Sequence, residues 1–392
     1  MIYNLDKGLA YWQKNNKNSK GIGREISKIL SRNQGMRRVN HLFHKITDIE
    51  NIYLADKKAR RHKLNTYGVK LHDKNRDENL LNLQRMLIEG TYVTSDYETF
   101  IIYEPKEREI YRLPYYPDRI VHHALMNVLE GIWVPIFIKN TFSCIKGRGI
   151  HAAAKAVEKD LREDPEGTRY CLKMDITKFY PSIDHTILKR IIRRKIKDNK
   201  VLHLLDSIID SAEGVPIGNY LSQFFANLYL AYFDHWIYEE LGVKYYYRYA
   251  DDIVILHHNK EFLHDLLDKI QTYLWNNLRL TLKKYPEGGG VIRKYQIFPV
   301  DSRGVDFVGY VFRHGYTKLR KSIKKNFCRK VAKINKRALT VKAYKQNICS
   351  WWGWCKYCNS HHLLKKILKT DVYESIQQRS TKAGRADKSG DL

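Results

Sequence analysis

The stretch Tyr245–His258, YYYRYADDIVILHH, places two adjacent acids between tyrosines and an aliphatic run. Tyrosines and β-branched residues favour strands, so the pattern predicts a two-stranded hairpin with Ala250 and Asp251 at its tip. One aspartate alone would be ordinary turn chemistry. Two adjacent carboxylates repel each other, and carboxylates are rarely placed among strand residues. Asp251 and Asp252 therefore indicate a site for a hard cation, which would relieve the repulsion.

A third carboxylate, Asp175, ends the segment TRYCLKMD, in which apolar and polar residues alternate with the period of a strand. Such a strand can lie beside the hairpin in one sheet, and this would bring Asp175, Asp251 and Asp252 to one edge. Carboxylates grouped in this way can hold two Mg²⁺ ions, which activate an attacking 3′ oxygen and stabilise a leaving pyrophosphate. The sequence thus predicts a two-metal site.

The charge of the chain indicates its substrate. Among 392 residues, 70 are Lys or Arg and 42 are Asp or Glu, which gives a formal net charge of +28. A folded protein this basic usually binds a polyanion, and with the acids this indicates nucleotidyl transfer on nucleic acid. No apolar run approaches the roughly 18 residues of a spanning helix, and the N-terminus lacks a signal pattern. We therefore expect a cytoplasmic protein without a membrane partner.

Several segments, in their order along the chain, resemble the motifs of reverse transcriptases. KMDITKFYPSID, GVPIGNYLSQ and YRYADDIVIL resemble the palm motifs, and GVDFVGYVF resembles the primer grip that follows them. KEREIYRLPYYPDRIVHHAL and FSCIKGRGIHAA resemble finger motifs shared with group II intron enzymes, and SWWGWCKYCNSHHLLKKI resembles their thumb helix. The resemblance covers residues from about 50 to about 370, and its strength lies in the order of all the motifs together.

The resemblance implies an α+β right-hand polymerase fold, whose palm is an antiparallel sheet that carries the catalytic acids and whose thumb is helical. It implies an RNA-directed DNA polymerase, with template RNA and a DNA primer as partners and two Mg²⁺ ions as cofactors. The expected divisions are a basic helical extension (1–50), fingers (51–167), a palm with interleaved finger helices (168–312), a basic thumb (313–370) and a disordered tail (371–392).

One loop resembles a narrower group. Ile217-Gly218 followed by Ser222-Gln223 is similar to the signature of reverse transcriptases from diversity-generating retroelements, whereas group II intron enzymes usually carry Gln-Gly and Ser-Pro. In that group, cDNA copied from a template-repeat RNA carries errors at adenines and rewrites a variable repeat in mutagenic retrohoming. The resemblance also implies a structured RNA, a small basic accessory protein, and a bacterial, archaeal or phage source.

Three other functions stay open from the sequence. The first is a phage-defence reverse transcriptase, which neighbouring DNA would distinguish. The second is an RNA-binding protein with an inactive palm, against which the intact Asp175, Tyr249 and Asp251 argue. The third is a group II intron-type reverse transcriptase, which the chain length and Ile217 disfavour.

The family motifs assign roles to residues of this chain. Asp175 and Asp251 match the metal-binding catalytic acids, Asp252 matches their neighbour, and the backbone carbonyl of Ile176 is expected to face a metal. Tyr180 matches the residue that excludes a ribose 2′-hydroxyl, with packing beside Phe179 as the alternative.

The other nucleotide-binding candidates lie in a hairpin and in the glycine loop. Lys106, Arg108 and Arg112 are candidates for the triphosphate, because a planar guanidinium pairs well with phosphate oxygens. The choice between the two arginines is open, and a solvated hairpin rim is the alternative. In the loop the candidates are Ile217, Gly218, whose missing side chain would let backbone approach a nucleotide, and Gln223. Either Lys283 or Lys284 is a candidate acid for the leaving pyrophosphate.

Two basic groups are predicted to contact nucleic acid, and for both the alternative is solvated surface charge. They comprise Lys57, Lys58, Arg60 and Arg61 in the first group and Lys146 and Arg148 in the second. A separate group, Cys349, Cys355, Cys358, His361 and His362, matches no standard zinc spacing and reads as one continuous amphipathic helix, so we expect no zinc.

Overall fold

The computed structural model describes residues 38–103, 107–283, 285–286, 292–293 and 295–376. The chain forms two compact units, whose segments alternate along the sequence. Unit 1 consists of Met1–Asp96, Pro114–Ile132 and His185–Ser211, and unit 2 consists of Tyr97–Leu113, Trp133–Asp184 and Ala212–Leu392. All three predicted catalytic acids belong to unit 2.

The helices, in chain order, are α1 (Phe43–Thr47), α2 (Ile49–Ala59), α3 (Tyr67–Asp73), α4 (Arg76–Glu89), α5 (Ile120–Trp133), α6 (Ile150–Glu163), α7 (His185–Arg193), α8 (Asn199–Ile209), α9 (Tyr220–His235), α10 (Lys260–Leu278), α11 (Val300–Arg303), α12 (Lys321–Asn335), α13 (Val341–Cys355) and α14 (His361–Ile367). None of the described helices combines the length and the apolar character needed to cross a membrane.

The strands, in chain order, are β1 (Glu98–Ile102), β2 (Arg108–Arg112), β3 (Tyr170–Asp175), β4 (Tyr245–Tyr249), β5 (Asp252–His257), β6 (Tyr285–Pro286), β7 (Ile292–Arg293), β8 (Gln296–Pro299), β9 (Val305–Phe307), β10 (Tyr310–Phe312) and β11 (Thr317–Leu319). All strand pairs in the described chain are antiparallel. Helices together with antiparallel sheets confirm the α+β class.

A four-stranded sheet in the order β4-β5-β3-β8 positions the acids in unit 2. The hairpin predicted from YYYRYADDIVILHH is confirmed, since β4 and β5 pair from Tyr245 with Leu256 to Tyr249 with Asp252. The predicted strand ending at Asp175 is also confirmed as β3, and it lies between β5 and β8. In β5 all four residues from Ile253 to Leu256 are buried, because this strand is covered on both faces.

Helix α4 in unit 1 shows how local sequence sets an element. Its apolar residues Leu80, Leu83 and Leu87 follow a helical period and are buried. The helix ends at Gly90, whose φ of 72° is the left-handed conformation that glycine adopts without strain. The local sequence thus sets both the buried face and the end of this helix.

Two local predictions are wrong. The continuous helix expected through the Cys/His group is divided, because α13 ends at Cys355 and α14 begins at His361. The tail expected to be disordered from residue 371 is helical over residues 371–376, since Val372 and Ile376 are buried in the core of unit 2. Residues 377–392, 1–37 and Lys284 lie outside the described residues.

Candidate active site

Three aspartates meet at one end of the β3–β5 pair. Asp175, the last residue of β3, lies directly opposite Asp252, the first residue of β5. Asp251 comes immediately before Asp252 at the hairpin tip. The residue before Asp251 is Ala250. Its φ is 54°, a value that an L-residue adopts only when the surrounding structure holds it there. The sheet thus places all three acids at one edge, as the sequence predicted.

The carboxyl groups of Asp175 and Asp251 interact directly with each other. The pKa of Asp251 is raised to about 6, first by burial and then by the charge of Asp175 and a hydrogen bond between the two groups. Burial and the neighbouring like charge both disfavour the ionised form of Asp251, and a bound cation would offset both effects. Carboxylate oxygens are the ligands that Mg²⁺ prefers. The chemistry of the pair therefore fits a divalent cation.

Asp252 has a different environment. Its Oδ1 lies 3.5 Å from Lys173 Nζ and makes no hydrogen bond within the described chain. Burial raises the pKa of Asp252, and the charge of Lys173 opposes this rise. Across the described ranges, no group of three or more His, Cys, Asp or Glu side chains is placed to hold a metal ion. Metal binding by Asp175, Asp251 and Asp252 therefore stays a prediction.

The backbone beside Asp175 directs one carbonyl towards this edge. Lys283 N donates to Asp175 O at 2.8 Å, and Thr177 N donates to Thr281 O at 2.9 Å, so both groups point to the same neighbouring segment. Because successive carbonyls alternate in direction along an extended chain, the carbonyl of Ile176 points to the opposite edge, where β5 begins. This direction supports the predicted role of Ile176. Lys283 Nζ also lies 3.5 Å from Asp175 Oδ2.

Tyr180 is half-buried and packs edge-on against Phe179, with 5.6 Å between the ring centroids. Its pKa is raised, first by burial and then by the charges of Cys144 and Asp251, while Arg108 lowers it. The phenol therefore lies within electrostatic range of both Asp251 and the triphosphate candidate Arg108. Exclusion of a 2′-hydroxyl by Tyr180 stays a prediction.

The glycine loop packs on β2. Tyr111 N donates to Ile217 O at 2.8 Å. Gly218 has a φ of 123°, and a Cβ at this position would overlap the carbonyl of Tyr111. Glycine is therefore required here because the backbone of Gly218 approaches β2. This corrects the sequence-based explanation, in which the missing side chain made room for a nucleotide. Gln223 is exposed in the first turn of α9, so contact of this loop and Gln223 with a nucleotide stays a prediction.

The two hairpin arginines differ in their partners. Arg112 Nε donates to Glu98 Oε2 at 3.0 Å, and its Nη2 donates to the same oxygen. The Arg108 side chain makes no hydrogen bond or ion pair with another described residue. An arginine already paired with a carboxylate is a poorer triphosphate ligand, so the structure favours Arg108. Lys106 lies outside the described residues.

In unit 1, four basic residues on and after α2 were predicted to contact nucleic acid. Two of them bond to other described side chains of the protein, and two do not. Arg60 Nη2 donates to the fully buried Asp56 at 3.0 Å and to Asp73 at 2.8 Å. Arg60 therefore has a structural role, which corrects its assignment to nucleic acid. Lys58 Nζ donates to Asn127 Oδ1 at 2.6 Å. Lys57 and Arg61 are exposed and keep the predicted role.

The second basic group divides in the same way. Lys146 is exposed beside Gly147, and contact with nucleic acid stays a prediction. Arg148 Nη1 donates to Ile138 O at 2.8 Å, so this guanidinium already holds the loop to the preceding chain.

Sequence reasoning missed a buried ion pair beneath the hairpin. Arg248 and Asp234 are both fully buried, and Arg248 Nε lies 2.7 Å from Asp234 Oδ1. The available signal was the arginine itself, because a cation in the middle of a strand of tyrosines requires a buried partner.

Comparison with known proteins identifies the class to which this site belongs. A family profile described as reverse transcriptase (RNA-dependent DNA polymerase) matches residues 105–312, more than half of the chain, and includes all three acids. The chain belongs to the reverse transcriptase family. The predicted α+β right-hand polymerase fold is thereby confirmed, and the four-stranded sheet is its palm. The predicted domain boundaries stay predictions.

Individual relatives match over shorter lengths. Protein YkfC of Escherichia coli (strain K12) is 28% identical over 153 residues, which are 35% of this chain and 40% of that protein. Group II intron-encoded protein LtrA of Lactococcus lactis subsp. cremoris is 25% identical over 174 residues, 41% of this chain and 28% of LtrA. The chain thus spans less than half the length of either relative. Apo telomerase from Candida tropicalis matches with a TM-score of 0.40 and 12% identity, over 61% of this chain and 52% of that chain.

Proposed function

We propose that this chain is a Mg²⁺-dependent RNA-directed DNA polymerase, in which Asp175 and Asp251 hold the metal. The observation that carries the proposal is the meeting of Asp175, Asp251 and Asp252 at the β3–β5 edge, within the segment that matches the reverse transcriptase family. When bound there, Mg²⁺ would offset the charge of the pair and of the phosphoryl group being transferred.

Other residues of the chain would bind and orient the substrates. Arg108 would bind the triphosphate, and Tyr180 would exclude the 2′-hydroxyl of a ribonucleotide. The net charge of +28 supports template RNA and a DNA primer as partners, since their phosphates carry the opposite charge.

Extension of a labelled DNA primer on an RNA template tests this function. We expect synthesis with deoxynucleotides and Mg²⁺, and none when EDTA removes the metal. RNA binding should weaken steeply with salt, because each neutralised phosphate releases counterions. Binding of RNA without any primer extension in Mg²⁺ or Mn²⁺ would reject the polymerase and favour an RNA-binding protein.

We further propose that the cDNA is error-prone at adenines and serves mutagenic retrohoming in a diversity-generating retroelement. The support is the sequence pattern Ile217-Gly218 and Ser222-Gln223 in the loop that packs on β2. A small basic accessory protein and a structured RNA would complete the active complex. Deep sequencing of cDNA from a defined RNA tests this proposal, and errors spread evenly over the four template bases would reject it.

A group II intron-type reverse transcriptase is the second candidate, which the likeness to LtrA favours. Sequencing of the flanking DNA separates the two. Near-identical repeats that differ mainly at adenines support the retroelement, and a flanking intron RNA supports the second candidate.

A further inference from the structure

A single guanidinium connects the hairpin tip to the palm helix α9. Arg248 of β4 is fully buried, and the other four residues of this strand are all tyrosines. Its Nε lies 2.7 Å from Asp234 Oδ1, and its Nη2 lies 2.5 Å from Asp234 Oδ2. Asp234 belongs to α9, so this bidentate pair fastens β4 to the helix that follows the glycine loop.

The remaining nitrogen reaches the catalytic turn. Arg248 Nη1 donates to Ala250 O at 3.0 Å and to Asn227 Oδ1 at 3.1 Å. Ala250 is the residue with left-handed backbone conformation that comes immediately before Asp251. The guanidinium therefore holds the peptide group that joins Ala250 to Asp251.

The backbone of Arg248 is held as firmly as its side chain. Arg248 N donates to Asn140 O at 3.1 Å, and Phe142 N donates to Arg248 O at 3.0 Å. Asn227, which accepts from the guanidinium, also donates to Ser143 O at 2.7 Å. Three segments of unit 2 thus converge on Arg248: the hairpin, α9 and residues 140–143.

A buried ion pair is a poor source of stability, because desolvation of both charges offsets their attraction. What arginine supplies here is geometry, since its planar fork binds a carboxylate and a carbonyl at fixed angles at the same time. A lysine ammonium has a single nitrogen and cannot reproduce both contacts. The hydroxyl of Tyr247, another buried side chain of β4, donates to Asp160.

We propose that Arg248 is a positioning residue that fixes the Ala250–Asp251 turn, and through it the Asp251 carboxylate, relative to Asp175. The inference rests on the proposed metal-dependent polymerase function and deepens it. Loss of the bond to Ala250 would leave the ion pair with Asp234 in place but free the turn that carries the metal ligand.

The test compares Arg248→Lys with Tyr247→Phe as a matched control. Tyr247 is fully buried in the same strand, and its hydroxyl donates to Asp160 rather than to the tip. Mn²⁺ binding, measured by electron paramagnetic resonance on the full chain without nucleotide, reports the metal pair directly. Primer extension gives kcat and the KM for deoxynucleotides.

We expect Arg248→Lys to weaken Mn²⁺ binding and lower kcat, each by about 10- to 100-fold, with the nucleotide KM little changed. Tyr247→Phe should lower the melting temperature without changing Mn²⁺ affinity. Asn227→Ala removes a second acceptor of Arg248 Nη1 and should also weaken Mn²⁺ binding, but to a smaller extent than Arg248→Lys. This variant provides the test if Arg248→Lys does not fold.

The proposal is overturned if Arg248→Lys leaves Mn²⁺ affinity and kcat unchanged, because Arg248 would then be an ordinary core residue. If only Asn227→Ala folds, the same result in that variant overturns it. If the wild type shows no primer extension but Arg248→Lys binds Mn²⁺ more weakly than the wild type, the positioning role is upheld and only the polymerase function is rejected. The two failures are therefore distinguishable.

Discussion

Asp175 and Asp252 lie directly opposite each other in the antiparallel pairing of β3 with β5, and Asp251 adjoins them at the hairpin tip. Like charges placed directly opposite each other destabilise a sheet. This edge is therefore unfavourable for the folded chain alone, and cation binding would relieve it.

Asp251→Asn should stabilise the metal-free protein. The folded-state pKa of Asp251 is about 6 against an ordinary value of 3.8, so the folded state binds this proton more tightly than the unfolded state. Stability is therefore lost as pH rises from about 4 to about 6, by up to about 3 kcal/mol. Thermal unfolding in EDTA should show a higher melting temperature for Asp251→Asn above pH 6 and a small difference at pH 4.

Excess Mg²⁺ should reverse this order. Binding to the folded wild type raises its melting temperature, and Asp251→Asn should lose most of this increase. An equal Mg²⁺-induced increase in both proteins would place the metal elsewhere.

Tyr180→Val should admit ribonucleotides, because the proposed exclusion of the 2′-hydroxyl is steric. The measurement is the ratio of incorporation rates with deoxynucleotides and ribonucleotides. Tyr180→Phe is the matched control, since it keeps the ring and should keep the ratio. An unchanged ratio in Tyr180→Val would assign this side chain to packing against Phe179.

Arg108→Ala should raise the KM for deoxynucleotides by about 10-fold or more, since hydrogen bonds to charged groups contribute about 1.5–3 kcal/mol. Arg112→Ala is the matched control on the same strand. It should change KM by less than about threefold, because Arg112 is already paired with Glu98. Single-nucleotide incorporation kinetics check both values, and a larger effect at Arg112 would reverse the assignment.

Ile217→Gln should lower the error rate at template adenines several-fold. A glutamine amide can hydrogen-bond a nucleotide in the loop, whereas isoleucine offers no donor or acceptor, and one such bond contributes about 1 kcal/mol. Deep sequencing of cDNA measures the effect, with Ile217→Leu as an apolar control. Adenine errors that persist in Ile217→Gln would keep the retroelement function and reject Ile217 as their cause.

The hairpin and its acids were predictable because their signals are local. Strand-favouring tyrosines and a continuous aliphatic run encode β4 and β5 on either side of the turn at Ala250, and Asp175 ends a strand in which apolar and polar residues alternate. Their order in the sheet needed only the expectation that such strands pair. The divided helix after Cys355 was not predictable, because the apolar spacing continues through the break.

Partners set by tertiary packing could not be predicted in the same way. The sequence does not distinguish Arg60 and Arg112 from Arg108. Only in the folded chain does Asp73 pair with Arg60 and Glu98 with Arg112. Asp234 carries no local signal that it accepts from Arg248. Charge counts therefore predicted nucleic-acid binding as a class of function but did not identify which cations are free to bind.

The central claim is that Asp251 is a catalytic metal ligand of an RNA-directed DNA polymerase. Primer extension on RNA by the wild type, Asp251→Asn and Asp265→Asn tests it most directly. Asp265 is an exposed carboxylate on α10 and controls for loss of one charge. We predict a fall of about a thousandfold or more in Asp251→Asn and none in Asp265→Asn. Extension by Asp251→Asn at a rate near that of the wild type would contradict the account.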